Sequence, residues 1–186
     1  KTISCSIIMP CYNREAYIQE ALEAIKAQTY TNWELIVIDD GSSDKTAEVI
    51  QENISSIEQP VKYIYQKNSG AYVARQRGIE ESKGEFIAFY DSDDVWLKHH
   101  LEQGINELQK NVDVDWFFGP CQRIEIDTGK VRVQNHLYEE KPAQKFLQLN
   151  TRNRNQLKVI DDEKFAATLL ETGWGLGLQH SVLRRR

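Results

Sequence analysis

Three carboxylates, Asp91, Asp93 and Asp94, fall within four positions of this 186-residue chain. Like charges at that spacing repel, and each would cost several kcal/mol if buried unpaired. A divalent cation relieves both problems, and carboxylate oxygens suit Mg²⁺ or Mn²⁺. The acids end a short bulky apolar run, Phe86-Ile87-Ala88-Phe89-Tyr90. Such a run reads as a strand buried on both faces of a parallel sheet. In open α/β sheets ligands bind at the carboxyl ends of the strands, where these acids fall. The plainer alternative is a solvated loop in which Asp94 caps a helix starting near Val95. A bare D-x-D does not decide between the two; its position after a buried strand favours chemistry.

A second acidic pair, Asp39-Asp40, follows another apolar run, Trp33–Ile38, and opens the sequence D-D-G-S-S-D. Taken by itself, Asp39-Asp40-Gly41-Ser42 also reads as a plain turn. The four histidines (His99, His100, His136, His180) show no metal-ligand spacing and read as ordinary surface or core residues, and Lys67 as a solvated lysine. Cys5, Cys11 and Cys121 are odd in number and have no C-x-x-C spacing, which favours reduced thiols over zinc.

The elements that must position these acids alternate regularly. Ser4–Met9 is a first buried strand, turned by Pro10-Cys11-Tyr12-Asn13. Asn13 is the expected N-cap of a helix over Glu15–Gln28, with Ile18, Ala21, Leu22 and Ile25 at helical spacing. Trp33–Ile38 is the second strand, followed by a helix from about Lys45 with Ala47, Ile50, Ile54 and Ile57 on one face. Val61–Gln66 is a third strand, and Asn68-Ser69-Gly70 leads into a helix carrying Val73, Ala74, Arg75 and Ile79. The strand ending at Asp91 is the fourth. Successive β-α units imply right-handed crossovers and a mostly parallel sheet flanked by helices.

After Trp96 the pattern changes. Leu101, Ile105 and Leu108 mark a helix; Val114–Gly119, Cys121–Ile126 and Val131–Val133 read as strands, the last two joined by the turn Asp127–Lys130. Arg132–Gln156 is polar and reads as loop with a helical turn near Phe146. Phe165, Ala166, Leu169 and Leu170 mark a last helix, and Leu178–Leu183 a final strand. The intervening Gly173–Gly177 run has G-x-G-x-G spacing and is not a dinucleotide fingerprint.

Composition narrows the function. The chain is 40% hydrophobic and 27% charged with net charge −5, an ordinary globular profile of one domain. Acidity argues against nucleic-acid or anionic-membrane binding. No stretch approaches the about 18 apolar residues of a membrane span, and the opening Lys1–Ser4 does not read as a secretory signal. The expected location is cytoplasmic. Neighbouring strands should gather Pro10–Tyr12, Asp39-Asp40, Lys67–Gly70 and Asp91–Asp94 at one rim. That set offers aromatic surface, acceptors for a base or ribose, and acids for a cation, which together suit a nucleotide diphosphate.

Residues Ser6–Val49, with S-I-I-M-P-C-Y-N-R-E and L-I-V-I-D-D-G-S-S-D-K-T, resemble the opening of a family-2 glycosyltransferase of the GT-A fold. Asn68–Trp96, with N-S-G-A-Y-V-A-R-Q-R-G and Y-D-S-D-D-V-W, is similar to the family's middle segment, including its D-x-D motif. The resemblance covers about half of the chain and implies metal-dependent, inverting transfer of a sugar from a nucleotide-sugar, commonly a UDP-sugar. It implies that Pro10 and Tyr12 flank the nucleobase, Asp40 accepts from it, Asp91 lies near the ribose, and Asp93 ligates Mn²⁺ or Mg²⁺. It carries Asn68, Gly70 and Ser92 into the donor-binding set. Arg75 matches the Arg of the family's A-R-N motif, with Gln76 standing where the family has Asn. The implied partners are a nucleotide-sugar donor and a saccharide or lipid-linked acceptor, with any membrane association peripheral, at the inner face. Residues 1–96 then form the nucleotide-binding half of one GT-A domain and 97–186 the start of its acceptor half.

Gln179–Arg185 resembles the stretch that precedes the family's catalytic-base motif, so the base is expected beyond Arg186, in a longer protein. Two alternatives compete. One is a nucleotide-sugar-binding relative without catalysis. The other is a receiver-type phosphoacceptor domain built on Asp39, Asp40, Asp91 and Lys141-Pro142. The receiver reading is weakened because a complete β-α unit precedes the acidic pair, and because Lys141 follows Glu139-Glu140 rather than a buried strand.

Overall fold

The computed structural model describes residues 4–119, 121–125, 128–139, 144–154, 157–160 and 181–185. The expected helix around Phe165–Leu170, the Gly173–Gly177 run, Lys141-Pro142 and His180 lie outside the described residues. The chain divides into two compact units, Lys1–Phe117 with Gln179–Arg186, and Phe118–Leu178.

In the first unit the elements are β1 (Cys5–Cys11), α1 (Ile18–Lys26), β2 (Trp33–Asp39), α2 (Thr46–Ile54), β3 (Val61–Tyr65), α3 (Ala71–Glu81), β4 (Phe86–Phe89) and α4 (His100–Lys110). In the second they are β6 (Arg123–Ile124), β7 (Val131–Val133), α5 (His136–Glu139), β8 (Thr151–Arg154) and β9 (Leu157–Ile160). β5 (Trp116–Phe118) runs into the unit boundary, and β10 (Ser181–Arg184) closes the first unit. Among the described residues the main sheet has the order β3-β2-β1-β4-β10-β5. β1, β2, β3 and β4 pair in parallel, and β10 runs antiparallel to β4.

Each buried run became a strand because its alternate residues fill two different interiors. Ile7, Met9, Leu35, Val37, Phe86, Ala88 and Tyr90 pack with Ile18, Leu22 and Ile25 of α1 and with Leu101, Ile105 and Leu108 of α4. Ile36 and Ile38 point the other way, toward Ala74 of α3. The face of α3 is small: Ala74 and Gly78 are its buried residues, whereas Val73 is exposed. A Cβ on Gly78 would lie 2.3 Å from Ile8 Cγ2, so the missing side chain lets α3 lie close on β1.

Pro10 interrupts nothing at its place in a central strand. The β1–β4 ladder ends at Ile8↔Phe89, with Tyr90 N–H donating to the Ile8 carbonyl at 2.9 Å. Beyond that point β1 continues alongside β2 alone, with Pro10↔Ile38 and Cys11↔Asp39. The ends of β1 and β4 therefore part. The strand order also reverses there, since β2 and β3 lie to one side of β1 and β4 to the other. Such a switch point is where α/β sheets open a ligand crevice.

Several boundaries differ from expectation. α1 begins at Ile18 because Asn13 does not cap it: Asn13 takes positive φ (50°), and its Oδ1 accepts from Ser43 N–H at 2.9 Å. Asn tolerates that backbone region better than most side chains. Asp94 caps no helix either, since α4 starts at His100. In the second unit, the polar stretch read as loop holds the first strand of a hairpin, β8, which pairs antiparallel with β9 just beyond it, from Thr151↔Ile160 to Arg154↔Leu157. A helical turn does surround Phe146, which is buried. The expected turn before β7 carries Gly129 at φ 66°.

Candidate functional site

The acidic pair at the end of β2 acts on two neighbouring loops. Asp39 is fully buried; its Oδ1 accepts from Ser42 N–H at 2.8 Å and its Oδ2 from the Tyr63 hydroxyl at 2.7 Å. Burial raises the Tyr63 hydroxyl pKa, and its bond to Asp39 raises it further. Asp40, 3% exposed, accepts at Oδ1 from Gln66 Nε2 (2.7 Å) and Ser69 N–H (2.9 Å), and at Oδ2 from Gly70 N–H (2.7 Å). It thus staples the loop between β3 and α3. Gly41 makes that junction possible, for its φ is 84° and a Cβ there would fall 2.7 Å from Asn68 N. Asn68 and Gly70 are exposed on this loop, and Gly70 (φ 92°) starts α3.

One turn further along α3, Arg75 reaches the acids after β4. Its Nη2 donates to Asp91 Oδ1 at 2.5 Å, with the side chains 23% and 26% exposed. α3 therefore links the Asp40 cluster, through Gly70, to the Asp91 cluster. The Asp91–Asp94 segment is a tight turn, Asp94 N–H donating to the Asp91 carbonyl at 2.9 Å. Beneath it the Tyr90 hydroxyl donates to the Asp94 carbonyl at 2.5 Å, and Trp96 packs edge-on against Tyr90 at 4.7 Å. Burial and the nearby Asp94 charge push the Tyr90 hydroxyl pKa upward, so it stays a donor. Ser92 is buried, whereas Asp93 is exposed on the rim.

The third contributor is the segment after β1. Pro10 is buried, and Tyr12 presents an aromatic ring that is 45% exposed. Asn13, Arg14 and Glu15 are then laced to the loop before α2. Asn13 N–H donates to Ser42 Oγ (3.0 Å), Arg14 N–H to Thr46 Oγ1 (2.6 Å), and Glu15 N–H to Asp44 Oδ2 (3.1 Å). In return Ser43 N–H donates to Asn13 Oδ1 and Lys45 N–H to Glu15 Oε2, both at 2.9 Å. From this clasp the Arg14 guanidinium crosses to the turn after β4, Nη2 lying 3.3 Å from Asp93 Oδ2. Cys11, buried under the clasp, has its thiol pKa raised by burial and then by the Asp39 charge, so it is not a ready nucleophile.

Sequence reasoning missed Gln66, Arg14, Tyr90 as a hydroxyl donor, and the 13–15/42–46 clasp. The one available signal was the density of Asn, Ser, Thr and Asp in both loops, residues that bond nearby backbone. As a cation site the rim offers hard carboxylate oxygens from Asp91 and Asp93. Among the described residues no three metal-ligating side chains converge. One or two carboxylates are what Mg²⁺ commonly takes from protein when substrate phosphates complete its shell.

A parallel doubly wound sheet with polar groups gathered at its switch point defines the class of α/β proteins that bind ligands at the carboxyl ends of their strands. Residues 6–171 match the family described as Glycosyl transferase family 2, and the chain belongs to that family. It is 41% identical over 119 residues to the Escherichia coli protein WfgD, a UDP-Glc:alpha-D-GlcNAc-diphosphoundecaprenol beta-1,3-glucosyltransferase, covering 64% of this chain and 46% of WfgD. S. aureus TarS 1-349, solved in complex with UDP-GlcNAc, superposes with TM-score 0.54 at 30% identity, covering 61% of this chain and 33% of TarS 1-349. The mannosyltransferase PcManGT of Pyrobaculum calidifontis, solved with GDP-Man and Mn²⁺, shares the fold (TM-score 0.59, 22% identity, 64% of this chain and 35% of that one). The fold is thus that of GT-A glycosyltransferases, and the chain spans less than half the length of these relatives. The receiver alternative falls with the family match. The strand order agrees: β1 here lies between β2 and β4, not between β2 and β3 as in the 2-1-3-4-5 receiver order.

Proposed function

We propose that this chain is the donor-binding part of a glycosyltransferase that moves a sugar from a nucleotide-sugar, most simply a UDP-sugar, to a saccharide or lipid-linked hydroxyl acceptor. The observation that carries this reading is the placement of Asp91-Ser92-Asp93 at the carboxyl end of β4, across the switch point from Tyr12 at the end of β1. The sequence likeness to TarS, solved with UDP-GlcNAc, and to WfgD, named for a UDP-Glc donor and a diphosphoundecaprenol acceptor, supports the choice of donor and acceptor class.

In this reading Pro10 and Tyr12 border the base, with the exposed Tyr12 ring offering a stacking surface. Asp40 holds the Asn68–Gly70 loop in place, and its Oδ2, with one partner, keeps acceptor capacity for a base N–H. Arg75 fixes the Asp91 carboxylate, whose second oxygen is the acceptor for a ribose hydroxyl. Ser92, buried between the two acids, completes the donor-binding set. Asp93 is the residue that would hold Mn²⁺ or Mg²⁺, which neutralises charge developing on the departing diphosphate. Transfer breaks the bond between the anomeric carbon and the diphosphate, whose electron pair leaves with the nucleotide. The acceptor oxygen forms the new bond from the opposite face, inverting the configuration, and gives up its proton to a base. Residues 1–96 act as the nucleotide half and 97–186 as the beginning of the acceptor half.

Among the described residues no helix is long and apolar enough to cross a membrane. A lipid-linked acceptor would place the reaction at the cytoplasmic face of the inner membrane, with peripheral contact. Titration calorimetry with UDP and Mn²⁺ tests the site. Asp93→Ala should abolish the metal-dependent part of UDP binding and leave the thermal transition of the free protein within a few degrees. Equal UDP affinity in both proteins would refute the assignment.

A further inference from the structure

The two rim carboxylates each have a guanidinium partner, and the two pairs are held very differently. Arg75–Asp91 is short, 2.5 Å, and only a quarter exposed. Arg14–Asp93 is long, 3.3 Å, with side chains 37% and 46% exposed. Charge-assisted N–H···O bonds of full strength lie near 2.7–2.9 Å. The other contacts of the Arg14 head are equally loose, Nη1 lying 3.4 Å from the Tyr12 and Asn13 carbonyls. Its backbone is fixed at both sides by the clasp to residues 42–46. Arg14 is therefore a firmly mounted cation with a weakly held charge, resting on the carboxylate proposed to ligate the metal.

We propose that Arg14 is a built-in competitor for the Asp93 carboxylate: its guanidinium occupies the acid in the free protein and must be released before a divalent cation binds there. This inference rests on the assignment of the cation to Asp93 made above. A guanidinium and a divalent cation on the same carboxylate oxygen repel each other, so occupancy by one opposes occupancy by the other. The pairing also compensates Asp93 when no ligand is present, beside Asp91 and Asp94. Because the Arg14–Asp93 pair is exposed and long, the competition is mild. An exposed pair of this kind corresponds to a factor of about two to five in affinity.

The test is Mn²⁺ binding to the whole chain at a fixed, saturating UDP concentration, read as the Mn²⁺ dependence of UDP binding by calorimetry, since substrate phosphates complete the cation's shell. Arg14→Gln should bind Mn²⁺ about two- to fivefold more tightly than wild type. Lys67→Gln removes the same charge from the β3–α3 loop and should change the affinity by less than half of that. Asp93→Asn, alone or combined with Arg14→Gln, should lose the site. Unchanged or weaker binding by Arg14→Gln overturns the competitor role, and weaker binding is what a purely structural role for Arg14 predicts. An equal gain from Lys67→Gln reduces the effect to general charge and also overturns it. Tight Mn²⁺ binding that survives Asp93→Asn overturns both this inference and the cation assignment. Loss in Asp93→Asn with no gain in Arg14→Gln overturns the inference alone.

Discussion

Removing the Asp40 carboxylate should unfasten the β3–α3 loop and cost about 3–5 kcal/mol of stability. Three donors end on this one buried side chain: Gln66 Nε2, Ser69 N–H and Gly70 N–H. A hydrogen bond to a charged group is worth about 1.5–3 kcal/mol, and a donor left buried without a partner costs a similar amount. Gln66 is buried, so its bond takes the upper part of that range in Asp40→Ala. Ser69 and Gly70 are exposed residues whose amides can reach water, so each loses about 0.5–1 kcal/mol. Taking one ion out of the interior offsets part of the total. Asp40→Asn is the finer probe, because the amide has the same shape but turns one acceptor into a donor facing a donor. It should cost about 1–3 kcal/mol. Urea denaturation at neutral pH reads both. With a slope near 2 kcal/mol/M, the Asp40→Ala midpoint should fall by about 1.5–2.5 M at unchanged slope. Hydrogen exchange of the Ser69 and Gly70 amides should speed up well before global unfolding. A midpoint within about 0.5 M of wild type, with both amides still protected, would refute the staple and leave Asp40 free for ligand alone.

The remaining expectations concern how the rim is mounted. Gly78→Ala drives a methyl to within 2.3 Å of Ile8 Cγ2, a branched side chain fixed in the central strand, and should cost about 1–3 kcal/mol by thermal or urea unfolding. Adding Ile8→Ala makes room and should recover the overpacking part; no recovery would mean that α3 simply shifts outward. For Asp44, partial burial opposes the charged form, but hydrogen bonds from the Thr46 hydroxyl and from the Thr46 and Glu15 amides outweigh it and hold its pKa below the ordinary value. Its contribution is therefore complete above the unfolded value of about 3.9 and is lost as pH falls through the lower folded value. Asp44→Asn should lower the urea midpoint at pH 7, and the gap to wild type should close as the pH is taken below about 4. A gap that persists unchanged at pH 3 would mean that Asp44 charge has no part in the clasp.

The buried strands were legible because their chemistry is local. Ile7–Met9, Leu35–Ile38 and Phe86–Phe89 are apolar runs too short for helices, and α1 and α4 show their buried residues at helical spacing. The acids at their ends were legible for the same reason, since a charge that terminates a buried run must lie at a sheet edge. The hairpin of β8 and β9 was not, because Thr-Arg-Asn-Arg has no apolar alternation and its strand state comes from pairing alone. Asn13 misled as a helix cap because its side chain can satisfy either its own helix or a loop 30 residues away, and the tertiary contact won. Strand order, which parts the ends of β1 and β4, depends on which side of β1 the chain crosses to after α3, and periodicity carries no such information. Only the folded chain pairs Arg75 with Asp91 and mounts Arg14 against Asp93, 79 positions apart. Residue types can name the groups able to do chemistry; which cation rests on which carboxylate is set by long-range packing, because the charges themselves attract at any sequence separation.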